Sequence, residues 1–295
     1  MSQKRINVAY IYTIFNETGD RLDLLMKALA VTQTVPCVYY IIFDRQTRPE
    51  LMEMIVTKFP GKFIFWPRTP VPKKFINQSC ERGFTELYNL LETKYVCWNH
   101  SDDIPLDNRV ETQLRSLEKY PQCAVSLAGF YRVKPGYGIA MESFHVSPNY
   151  GFNVGYPSGW MLNKTVLPQL VVSWEYMKRF KAHWDAVTLL NILKEYPIVK
   201  CELPLFFYND HGTDPALDMK LENQKYATHW QLYKRVMGTV YSYPSGMEIH
   251  VADMINKLEN DRVLFKEWYT TEYRENQSHL KYAEWKARKL GGKKQ

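Results

Sequence analysis

The chain has 295 residues, 45% of them apolar, and a formal net charge of +7, an ordinary globular composition that supports a real core and is long enough for one large α/β domain or two small ones. No stretch approaches the roughly 18 uncharged apolar residues of a transmembrane helix, and Met1-Ser2-Gln3-Lys4-Arg5 lacks the apolar segment of a signal peptide. A cytoplasmic protein is expected, peripheral to a membrane or in the host cytoplasm if it is viral. Five cysteines (Cys37, Cys80, Cys97, Cys123, Cys201) are scattered singly without C-x-x-C spacing, which predicts buried free thiols in a reducing compartment and argues against a zinc knuckle.

In chain order, residues 7–15 read as a buried strand running into the polar loop Asn16-Glu17-Thr18-Gly19-Asp20. Leu22, Leu25, Met26 and Leu29 then recur at helical spacing, and Pro36 cannot continue that helix. Residues 38–43 form a second strand with Asp44 at its end. Arg48-Pro49 opens a helix through Leu51, Met54 and Ile55, and residues 63–66 are a third strand. This alternation predicts βαβ units in a parallel sheet, whose ligand site lies beyond the carboxyl ends of the strands. After a stiff loop at 67–72, residues 75–91 read as a helix and 95–98 as a strand. Val110, Leu114 and Leu117 mark a helix stopped by Pro121, and 124–130 is a further strand. The glycine-rich segment 135–159 reads as the least regular part, of the kind often used for binding. Residues 158–162 are expected as a short strand leading into a helix, a further helix begins at Trp184, and 199–208 is strand-like. From about Thr228 onward the pattern is mostly helical.

The strand Tyr95-Val96-Cys97-Trp98 ends abruptly in Asn99-His100-Ser101-Asp102-Asp103-Ile104-Pro105. Adjacent carboxylates at a strand end are awkward in a core and well placed to hold a divalent cation, because hard oxygen ligands suit Mg2+ or Mn2+. The plainer reading is a solvated turn that caps the next helix. Asn16-Glu17 and Asp44 lie at strand ends of the same kind.

Together, strand-Phe15-Asn16-Glu17, strand-Asp44, strand-His100-Ser101-Asp102-Asp103-Ile104 with Pro105 and Gln113, an Asp-led helix and Tyr208-x-x-His211 resemble the GT-A fold glycosyltransferases of the family-2 type, over residues 6–215. The resemblance implies an α/β fold with a Rossmann-like, mixed but mainly parallel sheet flanked by helices. It places a GT-A domain at 1–215, with a nucleotide-sugar half at 1–103 and an acceptor half at 104–215, followed by a helical C-terminal extension with a basic tail at 216–295. The implied activity is a metal-dependent, inverting transfer of a hexosyl or pentosyl group from a nucleotide sugar, foremost a UDP-sugar, to a hydroxyl, with Mn2+ or Mg2+ as cofactor. This chain departs from the family at four points. His100 stands where the first Asp of Asp-x-Asp is usual, Phe43-Asp44-Arg45-Gln46 replaces Asp-Asp-Gly-Ser, His183-Trp184-Asp185 replaces a Glu-Asp pair, and Asn209 replaces an Arg.

In that frame the metal rests mainly on Asp102, with Asp103 or His211 assisting. Asp44 would accept hydrogen bonds from a base or ribose. Thr13, Phe15 and Glu17 would line the base pocket, Phe15 by stacking, and Arg82 would reach the diphosphate after a small slip in register. Asp185 is the candidate general base, taking a proton from the acceptor hydroxyl, and Trp160 a platform for stacking an acceptor sugar or base. Each also reads as an ordinary turn, cap or core residue. The last fifteen residues hold Lys281, Lys286, Arg288, Lys289, Lys293 and Lys294 against Glu284 alone, so an anionic acceptor is expected: a lipid-linked or cell-envelope glycan at a membrane surface, or DNA carrying a modified base, as in bacteriophage DNA glycosylation. The rival without catalysis is a nucleotide- or glycan-binding module with a decayed site, suggested by His100 and Asn209.

Overall fold

In a computed structural model, which describes residues 7–66, 79–134, 138–142, 145–147, 151–153, 156–171, 184–209, 238–268, 271 and 282–291, strands and helices alternate through the first half of the chain. They are β1 (Val8–Ile14), α1 (Asp20–Ala30), β2 (Val38–Phe43), α2 (Pro49–Lys58), β3 (Phe63–Phe65), α3 (Ser79–Leu90), β4 (Tyr95–His100), β5 (Ile104–Pro105) and α4 (Arg109–Lys119). The second half adds β6 (Val125–Lys134), β7 (Gly138–Glu142), β8 (His145–Ser147), β9 (Gly151–Asn153), β10 (Trp160–Asn163), α5 (Trp184–Glu195), β11 (Ile198–Asn209), β12 (Thr239–Tyr243), β13 (Glu248–His250), α6 (Val251–Trp268) and α7 (Tyr282–Gly291).

The main sheet runs β13-β12-β11-β6-β10-β4-β1-β2-β3. Neighbours are parallel except around β10, which lies antiparallel between β4 and β6, and at β13. β1 shows why the sheet is buried on both faces. Its period of two sends Ala9 and Ile11 to one side and Tyr10, Tyr12 and Ile14 to the other. Helices α3 and α5 cover the first side with Phe84, Tyr88, Trp184 and Leu190; α1, α2 and α4 cover the second with Leu25, Leu29, Leu51, Ile55, Val110 and Leu117. On the first side Phe84 stacks on Trp98 (4.1 Å, 10°), and Trp184 meets Trp98 edge-on (4.9 Å, 85°). Such pairs each add about 0.5–1.5 kcal/mol beyond area burial, and these bind α3, β4 and α5 into one unit.

The second side is organised by Arg109, a fully buried residue at the start of α4. Its guanidinium donates to Gln113 Oε1 (3.1 Å), the Tyr10 hydroxyl (2.9 Å), Asn99 Oδ1 (2.8 Å) and the carbonyls of Trp98 (2.8 Å) and Trp160 (3.2 Å). Gln113 then donates to the Ser126 and Gly159 carbonyls, both at 2.8 Å. Helix α4 is thereby tied to β1, β4, β6 and β10 at once.

The structure departs from the sequence expectation at three places. The glycine-rich segment is not wholly irregular: β7 forms a hairpin with β6, and β8 pairs with β9. The chain beyond 216 contains helices α6 and α7, but β12 and β13 precede them and extend the main sheet. Val240 and Ser242 are buried while Thr239, Tyr241 and Tyr243 are half-buried, a strand alternation too short to stand out among helical apolar positions. Finally, β10 is followed by a turn rather than directly by a helix. The five cysteines are free thiols, as expected, but only Cys97, Cys123 and Cys201 are buried, Cys37 and Cys80 being partly exposed.

Arg109→Met should destabilise the protein by about 3 kcal/mol or more, because it leaves several buried acceptors without donors. Urea unfolding would measure this, and a loss below about 1 kcal/mol would remove Arg109 from its central place.

Candidate active site

Strand register decides which residues meet. Thr13 lies beside His100 and Ile14 beside Phe43, so the chain leaves β1, β2 and β4 side by side, at Phe15, Asp44 and Ser101. The first two exits are laced together. Asp44 N–H donates to the Ile14 carbonyl (2.7 Å), Thr47 Oγ1 to the Phe15 carbonyl (2.6 Å), and Arg48 Nε to Asn16 Oδ1 (3.0 Å). Asp44 is buried; its Oδ1 accepts from Gln46 N–H (2.9 Å) and its Oδ2 from the Cys80 thiol (3.8 Å). Glu17 Oε1 accepts from Phe15 N–H (3.2 Å) and from the Ser101 hydroxyl. Its Oε2 is buried and receives no hydrogen bond. Burial raises both carboxyls above their usual range, and for Glu17 the nearby Asp102 adds to the effect.

The acidic turn is held from several directions. Asn99 Nδ2 donates to the carbonyls of His100 (2.6 Å) and Asp103 (2.7 Å), and Asn209 Nδ2 to the Asp102 carbonyl (2.6 Å). Asp103 turns inward, accepting from the Ser158 hydroxyl and from Asn209 N–H (3.4 Å). Burial, and then the charge of Asp102, push its carboxyl well above the usual range. Ser158 reaches it because the 3-10 turn Pro157–Gly159 packs tightly: a Cβ on Gly159 would lie 2.9 Å from Phe206 Cε1 and 3.2 Å from the Ala128 carbonyl. Asp102 itself is partly buried.

On the other side of β4, residues 96, 98 and 100 share the face covered by α3 and α5. The His100 ring meets Trp98 edge-on (5.1 Å). Burial lowers its pKa, so the imidazole is neutral at pH 7, although Asp102 and Asp185 pull the other way. Asp185 lies in the first turn of α5 and Glu81 in that of α3. Glu81 is pushed up to about 7, mainly by burial and further by Asp185 and Asp44. Its Oε2 is shielded from solvent and receives no hydrogen bond.

Of the residues singled out from sequence, Glu17, Asp44, Asp102, Asp103 and Asp185 gather at this sheet edge. Arg82 follows Glu81 in α3, and Phe15, 44% exposed, stands at the rim. His211 lies outside the described residues. Three expectations change. Trp160 is fully buried, edge-on to Trp98 (6.5 Å) and stacked near Trp184 (5.8 Å, 27°), so it is core and offers no face to an acceptor. Thr13 is buried, accepts from Trp98 Nε1 (3.0 Å) and donates to the Asn99 carbonyl (3.5 Å), so it positions Trp98 instead of lining a pocket. Asp103 spends both oxygens on the protein, which leaves Asp102 as the carboxylate of the turn suited to a ligand. Sequence reasoning missed Glu81, Ser101 and Ser158. Glu81 had a weak signal, an acid next to Arg82 at a helix start, but a dipole-stabilising acid looks the same.

No protein-family model and no curated protein matches the chain in sequence. Solved structures do match. The 1–349 fragment of S. aureus TarS in complex with UDP superposes with a TM-score of 0.51 at 11% identity, over 92% of this chain and 74% of the fragment. Mannosyltransferase PcManGT from Pyrobaculum calidifontis, in complex with GDP-Man and Mn2+, gives 0.52 at 11% identity, over 90% of this chain and 72% of that one. The fold is GT-A. In this GT-A sheet the acidic residues converge at the carboxyl ends of β1, β2 and β4, where ligands of open α/β sheets bind.

The raised carboxyl of Glu81 has a thermodynamic consequence. The folded state holds this proton more tightly than the unfolded chain, so stability falls as pH rises from about 4.5 to about 7 and then levels off. Chemical denaturation at pH 5 and pH 7.5 should show Glu81→Gln gaining stability relative to the unsubstituted protein at the higher pH. An equal difference at both pH values would contradict the burial of this group.

Proposed function

We propose that this protein is a glycosyltransferase that moves a sugar from a nucleotide sugar, foremost a UDP-sugar, to an acceptor hydroxyl. The observation that carries the reading is the meeting of Glu17, Asp44, Asp102 and Asp185 at one edge of a GT-A sheet. The similarity to TarS with UDP and to a mannosyltransferase with GDP-Man and Mn2+ supports it.

The residues fit a divalent cation. Glu17 has a buried oxygen without a partner close to Asp102, and Mg2+ and Mn2+ are commonly held by one or two carboxylates together with substrate phosphates. Among the described residues no group of three candidate ligands occurs, so oxygens of the donor diphosphate, with His211 as the further candidate, would complete the shell around Asp102. When bound, the cation would neutralise charge developing on the leaving diphosphate. Asp185 takes the proton of the acceptor hydroxyl as its oxygen attacks the anomeric carbon and the bond from that carbon to the diphosphate oxygen breaks. Configuration inverts, as in the family-2 enzymes that the sequence resembles. His100, where the family usually has an Asp, adds no third negative charge near Asp102 and Asp185.

Of the two acceptors, a lipid-linked or envelope glycan is better supported than DNA. Trp160 is core, Trp285 is 8% exposed with Lys289 over its ring (4.9 Å), and Lys289 also pairs with Glu267. Trp285 thus offers no open aromatic face for stacking on bases. Among the described residues no helix is long and apolar enough to cross a membrane.

Incubation with UDP-glucose, UDP-GlcNAc and GDP-mannose in Mn2+ should release nucleoside diphosphate from at least one donor, and Asp102→Ala should slow that release about 100-fold. No turnover with any of them would leave a binding module. Tight binding of duplex DNA that weakens steeply with salt would move the acceptor to nucleic acid.

A further inference from the structure

We propose that Glu81 holds a hydroxyl of the transferred sugar in the donor site; the proposal rests on the nucleotide-sugar reading above. Glu81 precedes Phe84 by three residues, so the two share a face of α3. Phe84 is clamped between Trp98 (4.1 Å) and Trp184 (6.1 Å, 90°). That clamp holds Glu81 on the side of the sheet where His100 and Asp185 lie. Cys80, the residue before it, donates to Asp44 (3.8 Å), and Asp185 and Asp44 both raise the Glu81 carboxyl, so Glu81 lies near the end of β2 as well as the start of α5.

The residue as a whole is partly buried, yet Oε2 is shielded from solvent and receives no hydrogen bond. Such an oxygen is destabilising until a donor reaches it. Ligand chemistry selects the donor. A diphosphate carries only acceptors and negative charge, and so is repelled. The base end of the site already has Asp44. A sugar hydroxyl is neutral and donates to a carboxylate in a charge-assisted hydrogen bond. A carboxyl that titrates near neutrality also serves hydroxyls in both senses, donating when protonated and accepting when not.

The test is calorimetric titration of the full chain in Mn2+ with UDP against UDP-GlcNAc, and GDP against GDP-mannose. For the pair that binds, Glu81→Ala should weaken the sugar nucleotide about tenfold relative to the bare nucleotide, with the nucleotide itself unchanged. Glu81→Gln keeps the shape, guards against misfolding, and should show a smaller loss in the same direction. Equal weakening of nucleotide and sugar nucleotide, or no change in either, would overturn the proposal while leaving the nucleotide-sugar reading intact. If neither nucleotide nor sugar nucleotide binds the unsubstituted protein, that reading falls and takes this one with it.

Discussion

Arg109 donates five hydrogen bonds from a position without solvent exposure, and none of the five ends on a carboxylate. A guanidinium suits this place because its donors are fixed in a planar fork, so one residue can satisfy carbonyls on two strands and a side chain on a third. Through Asn99 the same fork reaches the acidic turn, since Asn99 accepts from Arg109 and donates to the carbonyls of His100 and Asp103. A chain of neutral and charged hydrogen bonds therefore runs from the interior of α4 to the edge where Asp102 stands. Asp103 feels the positive charge as well, which offsets a small part of what burial does to its carboxyl.

The opposite side of β4 works by packing instead. Phe84, Trp98, Trp160 and Trp184 fill the space under α3 and α5 and set the distance between the two helix starts. Those starts carry Glu81 and Asp185. The site is thus built between a polar anchor on one face and an aromatic one on the other, and neither anchor needs to touch a ligand. Raised carboxyls at Glu17, Asp44, Glu81 and Asp103 follow from the same construction, because dense packing removes water from acids that sit at strand and helix ends.

How much of this was legible depends on how local each signal is. Strand ends at Asn16-Glu17, Asp44 and Asp102 follow from patterns only a few residues long, and the parallel sheet follows from their alternation with helices. The partners that turn Asp103 inward are 55 and 106 residues away, at Ser158 and Asn209, and nothing in their own neighbourhoods announces the pairing. Trp160 illustrates another limit, since a large aromatic next to a glycine reads alike whether it faces a ligand or the core. The β6–β7 hairpin was missed because Ile139 and Met141, the large apolar residues of β7, are both 66% exposed and so do not mark a core face.

The strict alternation of β4 limits how this sheet can vary. Asn99 belongs to the Arg109 side and His100 to the side of Trp98, one residue apart. Inserting or deleting a single residue within β4 would exchange them, setting an imidazole against the guanidinium and an amide beside Asp185. Length changes are therefore tolerable on either side of this strand, in the loops, but not inside it. Two chains of this fold that differ in most positions would still have to agree on the parity of residues between Tyr95 and Asp102.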